Sequence, residues 1–543
     1  MKFDVLAYLN VRVAMRDGVE LATHIYLPAT GGPFPVFFTR TPYDALSQSH
    51  GSPLEWPHRG YACVRQDVRG RHLSGGKWYP WFNEKADGED VLNWIAAQPW
   101  CNGSIAMYGG SYVAATQLTA AMTGHPALKC FTPALKGSEF YHSAYWGGAF
   151  RLAWQTSWTL EPKIVSDQDT IRNHLPLLDM DVFCRGEKNP YWRDELAHPQ
   201  NDEFWKPCSI REHAASIQAP AFIRTGWFDL FICDVFDLYN GLRQRGGNEA
   251  VRNFTRILVG PWPHNINQRI VGEEDFGEVA VIGDLYEQEI AFIEHFTSGK
   301  PGFDVSGPPI RLFIMGANLW RNEYEWPLAR TVWTEMFLGS KGGANTAGGD
   351  GTLGPSPGGP ADRYDYDPAN PVQTLGGAWE FDNIGPRDQT PIESRSDVLI
   401  YTSEELAGDL EVTGPVTVHL FASSSAPDTD FTAKLVDLRA DGTPVGVTDG
   451  IIRARHRDPA RPPEFLVPGD VYEFAIRCNP TAYLFKKGHR LRLEISSSNF
   501  PAFARNLNTG NDIATDQEIR VAHQAIFHSA DYPSRLILPV IPG

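Results

Sequence analysis

The sequence predicts an α/β domain on a parallel sheet, broken by a helical insertion and followed by an all-β domain. Three observations carry this. Strand-like and helix-like segments alternate across the first 135 residues, as in parallel α/β sheets. Residues 136–215 lose the strand pattern and carry Trp146, Trp154, Trp158, Trp192 and Trp205. Beyond Pro308 short apolar runs separated by Gly, Pro and Asp turns take over, the pattern of a sandwich or jelly roll. The chain has 543 residues, room for about three or four domains at roughly 150 residues each.

Each element has a local reason. Apolar residues alternate on both sides of Asp17-Gly18 from Val11 to Leu27, which predicts a hairpin. Pro35–Thr39 and Tyr61–Val64 are short continuous apolar runs, typical of buried strands. From Glu89 the period lengthens, with Val91, Trp94 and Ile95 on one face, predicting a helix that ends before Pro99. Ser104–Tyr108 reads as a strand, Gly109-Gly110-Ser111 as a tight turn, and Tyr112–Met122 as a helix. Strand signals return at Ala219–Thr225 and Arg256–Val259, so residues 216–307 resume the sheet interrupted by the insertion. The all-β part, 308–543, includes Ile310–Ile314, Val416–Phe421, Ala433–Val436 and His489–Ile495. Nine of the 22 residues from Gly339 to Pro360 are glycine, which predicts a flexible loop.

Composition excludes several function classes. With 42% hydrophobic and 21% charged residues the chain is globular rather than disordered. Lys and Arg number 48 against 65 Asp and Glu, a formal charge of −17. That balance opposes binding to nucleic acid or to anionic membranes. Seven cysteines, odd in number and never in CxxC spacing, predict no disulfide framework or zinc module and a reducing compartment. Asp4, Arg12 and Arg16 interrupt the first apolar stretch, and no run approaches the roughly 20 apolar residues of a membrane helix. The expectation is a soluble, cytoplasmic protein with no metal and no cofactor. GxxxxGK[ST] and HExxH are absent, and Gly349–Gly354 matches GxGxxG only inside the glycine-rich stretch. Asn102-Gly-Ser104 and Asn253-Phe-Thr255 fit glycosylation acceptors but lack a signal peptide to make them relevant.

The sharpest chemical feature is Gly109-Gly110-Ser111-Tyr112-Val113. A serine on a strand-to-helix turn has its hydroxyl pushed out of the sheet, and small neighbours let strand and helix approach. Val113 stands where G-x-S-x-G has its last glycine, so an ordinary Gly-Ser turn is the competing reading. A nucleophilic serine needs a base, and the base an orienting carboxylate. Gly226-Trp-Phe-Asp229 and Gly260-Pro-Trp-Pro-His264 each follow a predicted strand, in the chain order Ser, Asp, His, at the strand ends where α/β sheets place active groups. Asp234 and Asp237 are weaker rivals for the acid because they fall on the next helix.

These motifs, with Arg40-Thr-Pro-Tyr-Asp44, Asp67-Val-Arg-Gly70, Pro309–Gly316, Ser423–Lys434 and Ser496–Pro501, resemble the cocaine esterase-like members of the X-prolyl dipeptidyl peptidase-like acyl-esterase family. The resemblance covers essentially the whole chain, and the family itself varies after the serine. It implies an α/β-hydrolase core with an inserted helical cap (136–215) and a C-terminal jelly roll (308–543). It makes Ser111 the nucleophile, His264 the general base and acid, and Asp229 its orienting carboxylate, with the Tyr43 hydroxyl and the Tyr112 backbone N–H as oxyanion donors. By motif position it assigns Trp146, Trp158, Phe231, Leu420 and Phe421 to the substrate pocket, with Trp154 able to exchange roles with Trp158. The implied activity is a serine carboxylesterase acting on a neutral acyl or aryl ester, with a small-molecule ester as partner and homo-oligomerisation left open. Relatives that hold an ammonium need carboxylates near the triad. Here Asp229 is followed by Leu230, Phe231 and Ile232, which disfavours X-prolyl dipeptidyl peptidase, α-amino-acid ester or β-lactam acylase activity unless Glu139, Asp167 or Asp169 projects inward. A non-catalytic polymer- or carbohydrate-binding role is the more distant alternative.

Overall fold

A computed structural model describes residues 4–47, 51–379 and 383–542. Its first sheet has ten strands: β1 (Val5–Ala14), β2 (Glu20–Pro28), β3 (Phe34–Thr41), β4 (Ala62–Asp67), β5 (Cys101–Gly110), β6 (Leu128–Ala134), β7 (Phe222–Gly226), β8 (Arg256–Gly260), β9 (Ile310–Ile314) and β10 (Leu319–Glu323). They lie in the order β1-β2-β4-β3-β5-β6-β7-β8-β9-β10. From β4 to β9 every pairing is parallel. The main helices are α1 (Glu84–Ala96), α2 (Tyr112–Ala121), α3 (Leu152–Trp158), α4 (Ile232–Arg245) and α5 (Leu285–Ser298).

The period-2 alternation of strands sorts side chains onto two covered faces. Val36 and Phe38 of β3, with Ile105 and Met107 of β5, pack with Val91, Leu92 and Leu118 of α1 and α2. Phe37 and Ala106 point the other way, onto Phe292 and Ile293 of α5. Every residue of α2 is buried, which explains why its sequence shows no polar stripe.

The insertion is a set of short helices, among them α3 and Pro190–Ala197, plus a hairpin pairing Tyr145–Trp146 with Ala149–Phe150. At the hairpin tip Gly147 has φ +54° and lies so close to the jelly roll that a Cβ would stand 2.0 Å from the Ile451 carbonyl. Arg453 N–H donates to the Gly147 carbonyl at 2.8 Å. Cap and jelly roll are thus joined by backbone contact.

The all-β domain holds thirteen strands between Val332 and Ile541. Ile310–Ile314, read in the sequence as part of the all-β pattern, instead pairs in parallel with β8 in the first sheet, and the antiparallel β10 closes that sheet's edge. A five-residue apolar run does not reveal which sheet takes it, because buried parallel and antiparallel strands share that pattern. The glycine-rich stretch also departs from expectation. Thr352–Gly354 forms a strand between Val332–Gly339 and Leu399–Ser403. Asp362, which accepts from Ser340 Oγ, Ala344 N–H and Tyr401 OH, anchors its start. Here glycine serves close approach: a Cβ on Gly351 would lie 2.0 Å from the Ile400 carbonyl. All seven cysteines are free and buried, and no described helix is long and apolar enough to cross a membrane.

Candidate active site

Ser111 stands between β5 and α2 with φ 59° and ψ −125°, a backbone conformation that costs on the order of 1–3 kcal/mol for a non-glycine residue. Its N–H donates to the Ala134 carbonyl of β6 at 2.9 Å, tying the turn to the neighbouring strand. Gly109, at φ +125°, relieves the crowding: a Cβ there would lie 2.4 Å from Val113 Cγ1. Val113 therefore fits because Gly109 has no side chain.

Asp229 and His264 follow β7 and β8, the paired strands next along the sheet. Their loops are locked together. Trp227 N–H donates to the Gly260 carbonyl at 2.9 Å and Phe228 N–H to the Trp262 carbonyl at 3.0 Å. A Cβ on Gly226 would lie 1.9 Å from the Trp262 carbonyl oxygen, so the glycine permits this contact. The result is a continuous chain: His264 Nδ1–Asp229 Oδ2 is 2.6 Å and His264 Nε2–Ser111 Oγ is 3.0 Å. Asp229 is fully buried, and its other oxygen accepts the Phe231 N–H at 2.9 Å. With Nδ1–H donated to Asp229, Nε2 is left to accept the serine proton.

Tyr43, 38% exposed, accepts a hydrogen bond from Trp158 Nε1 at 3.3 Å. Tyr112 opens α2, so its N–H belongs to the first turn, where helix donors have no intrahelical acceptor. Its side chain is buried and donates to Glu84 Oε1 at 2.8 Å, while accepting from the Trp81 N–H at 3.1 Å. Burial pushes the Tyr112 phenol well above its ordinary pKa and raises Glu84 as well.

Aromatic rings form the walls. Trp158 stacks on Trp81 and Trp154, with centroids 5.1 and 5.6 Å apart. Trp154 and Phe231 lie 6.2 and 5.7 Å from the His264 ring. Both Trp154 and Trp158 thus belong to the site, rather than one replacing the other. Trp146 is one layer further out, packed on Cys233 and Ile451, and meets Trp154 across a shared cavity. Leu420 and Phe421 are not brought to the triad. Leu420 is buried inside the jelly roll, and Phe421 faces the opposite side of its strand, on Tyr532 at 5.9 Å. The jelly roll instead contributes Trp379, Asp449 and Asn499 to that cavity. Segments far apart in sequence converge there, so local sequence pattern gave no access to it.

Sequence reasoning missed two further residues. Trp81, at φ 72° in an aperiodic loop, left no signal beyond its size. Lys136 could have been noticed as a charge just past an apolar strand end. It is buried between Phe231, Phe140 and Trp81, with Nζ 4.3, 4.4 and 4.8 Å from their rings, and donates to Ser143 Oγ. Burial pushes its pKa down to about 8, although Asp234 and Asp229 oppose the shift.

The rival acids are engaged elsewhere. Asp234 accepts from Ser138 Oγ, Glu139 N–H and His142 Nδ1, and Asp237 pairs with Arg211 at 2.9 Å. Glu139 accepts from Ser209, Asp167 caps the helix Gln168–Asn173, and Asp169 is exposed. Among the described residues no group of three His, Cys, Asp or Glu side chains is arranged to hold a metal.

Comparison with known proteins places this geometry. Residues 17–265 match the X-Pro dipeptidyl-peptidase (S15 family) model, and residues 301–537 match the X-Pro dipeptidyl-peptidase C-terminal non-catalytic domain. Cocaine esterase of Rhodococcus sp. (strain MB1 Bresler) is 38% identical over 98% of both chains. The crystal structure of an aminopeptidase from a marine sediment Thaumarchaeota archaeon superposes with a TM-score of 0.86 at 26% identity, covering 99% of this chain and 97% of that one. An α-amino acid ester hydrolase gives 0.82 at 24%, with the same coverage, and so shares the fold. Both domains of this architecture are matched in order and nearly end to end, and the chain belongs to the cocaine esterase-like, S15 family of serine hydrolases.

Proposed function

We propose that the protein is a carboxylesterase that cleaves esters of a neutral acyl or aryl acid through an acyl-enzyme. The carrying observation is the hydrogen-bonded chain from Ser111 through His264 to Asp229, set in an aromatic wall. In this reading Ser111 Oγ attacks the ester carbonyl as His264 Nε2 takes its proton, and Asp229 stabilises the imidazolium. Tyr43 O–H and Tyr112 N–H donate to the developing oxyanion, an interaction worth about 3–4 kcal/mol per donor in a dry site. His264 then protonates the leaving alcohol and activates the water that releases the acid.

A neutral acyl group is favoured because Lys136 already sits behind Phe231, where a second cation would be repelled, while Glu139 and Asp167 are bound elsewhere and Asp169 is exposed. The seven buried thiols support a reducing compartment. The test is a fluorophosphonate probe followed by peptide mapping, together with burst kinetics on an activated aryl ester. The adduct should fall on Ser111, and Ser111→Ala should abolish the burst. Unchanged turnover in that variant would sink the assignment. Much faster cleavage of a free-amino-acyl ester than of benzoyl and acetyl esters would move the activity to the amino-acyl class.

A further inference from the structure

Core, cap and jelly roll meet in a cavity next to the triad, and its wall is unusually rich in hydrogen-bond donors. Trp154 joins the two spaces: its ring lies 6.2 Å from that of His264, and it also lines the cavity. Leu230, the residue after Asp229, lines it too. Four buried N–H groups of lining residues have no acceptor among the described residues: Trp146 Nε1, Trp154 Nε1, Trp379 Nε1 and Arg151 Nε. Trp146, Trp154 and Arg151 are only 5, 6 and 6% exposed. A buried donor without an acceptor is costly, and native interiors leave only a few such groups per hundred residues. Four around one cavity call for an occupant that accepts.

The charges at the wall narrow the chemistry. Arg151 supplies a cation and donates through its terminal nitrogen to Cys233 Sγ at 3.3 Å. Asp449 supplies an anion, and its two oxygens already accept from Asn499 Nδ2 at 3.0 Å and Asn479 Nδ2 at 3.3 Å. The two charges offset each other. An ammonium would bring further donors beside Arg151 and leave the four N–H groups without an acceptor, and a carboxylate would face Asp449. An uncharged oxygen, as in a ketone, ether or second ester, matches the open donors without either conflict.

We propose that this cavity is a substrate subsite for an uncharged oxygen-bearing group, so that preferred esters carry a second carbonyl or ether oxygen beyond the scissile bond. The proposal rests on the esterase reading above and specifies its substrate class.

The experiment uses pairs of esters in which one CH2 is replaced by C=O or O, in one series on the acyl chain and in another on the alcohol. The readout is the ratio of kcat/KM for the oxygen-bearing ester over its all-carbon partner, measured within each protein, which cancels any general loss of activity. The wild type should favour the oxygen ester in one series by about tenfold, the equivalent of one net hydrogen bond of about 1.4 kcal/mol. Trp379→Phe and Trp146→Phe, which keep a ring and remove the N–H, should each bring that ratio towards one. A wild-type ratio near one in both series would overturn the proposal and indicate that water satisfies the donors. So would a preference that survives both substitutions. Failure of the esterase reading has a different signature: neither ester of a pair would be turned over in a Ser111-dependent way.

Discussion

Gly109→Ala probes why this elbow tolerates valine two residues after Ser111, the proposed nucleophile. The new Cβ would lie 2.4 Å from Val113 Cγ1 and 2.9 Å from Val113 Cβ, at a φ of +125°. Two separable penalties follow. The backbone conformation costs an L-residue about 1–3 kcal/mol, and overpacking against the buried Val113 adds about 1–3 kcal/mol. Val113→Gly alone should also destabilise, by about 1 kcal/mol for glycine in a helix and more for the lost side chain. In the double variant the clash disappears while the backbone penalty stays. The two substitutions should therefore be less than additive, with a coupling of about 1–3 kcal/mol measured by urea unfolding of all four proteins. Acylation burst rates report the same geometry at Ser111. A shift of about 1 Å costs on the order of a hundredfold, so Gly109→Ala should acylate slowly and the double variant should recover part of that rate. Additivity within about 0.5 kcal/mol would refute the idea that Val113 is what excludes a side chain at 109.

Tyr43→Phe removes one proposed oxyanion donor from a side chain that is 38% exposed, so kcat should fall by about 10²–10³-fold with KM nearly unchanged. Unfolding should shift by less than about 0.5 kcal/mol, and a kcat within about fivefold of wild type would remove Tyr43 from the oxyanion site. Lys136→Met should alter how stability depends on pH. The folded-state pKa of Lys136 is about 8, against an ordinary 10.5, so above pH 8 the unfolded chain binds more protons at this group and stability rises with pH. The burial cost is fully present below pH 8 and is relieved on the way to 10.5, at up to about 1.4 kcal/mol per pH unit. Lys136→Met lacks this term, so its stability relative to wild type should drop between pH 8 and 10 in urea titrations. A pH-independent difference would show that Lys136 keeps its charge across that range.

The parts of the fold legible in the sequence were those fixed by nearby residues. The Asp17-Gly18 hairpin, the β5–Ser111–α2 turn and the strands before Asp229 and His264 each rest on a local periodicity or a glycine doing one definable thing. The two glycine-tryptophan motifs are a good example: Gly226 and Gly260 let the Asp and His loops touch through Trp262. Contacts between remote segments were less accessible. Ile310–Ile314 carried a strand pattern but no sign of which sheet it joins. Leu420 and Phe421 sit on a correctly expected strand, yet the jelly-roll residues that reach the cavity shared with Trp154 come from elsewhere: Trp379, Asp449 and Asn499. Trp81 and Lys136 matter through three-dimensional neighbours that no spacing records.

Arg40 shows how such remote contacts can still explain a short motif. It is wholly buried, 2.8 Å from Glu84 and 3.7 Å from Asp87, and donates through Nε to Gln66 at 3.0 Å. A buried ion pair is weak ground for claiming stability, because desolvation offsets its attraction. Its consequence here is geometric. Glu84, held by Arg40 of β3, accepts the hydroxyl of Tyr112, the residue after Ser111, so the network ties β3 and α1 to the first turn of α2. The Asp and His loops are tied separately, to each other through Trp262. The aromatic wall is supplied by Trp154 and Trp158 of the cap, by Trp81 of the loop before α1, and by Phe231. Ser111, the Asp229–His264 pair and the aromatic wall therefore have different supports. Substitutions in the cap or jelly roll can reshape the pocket while leaving the Ser111–His264–Asp229 spacing to the sheet, which is the physical basis for expecting substrate range to change more readily than the reaction itself.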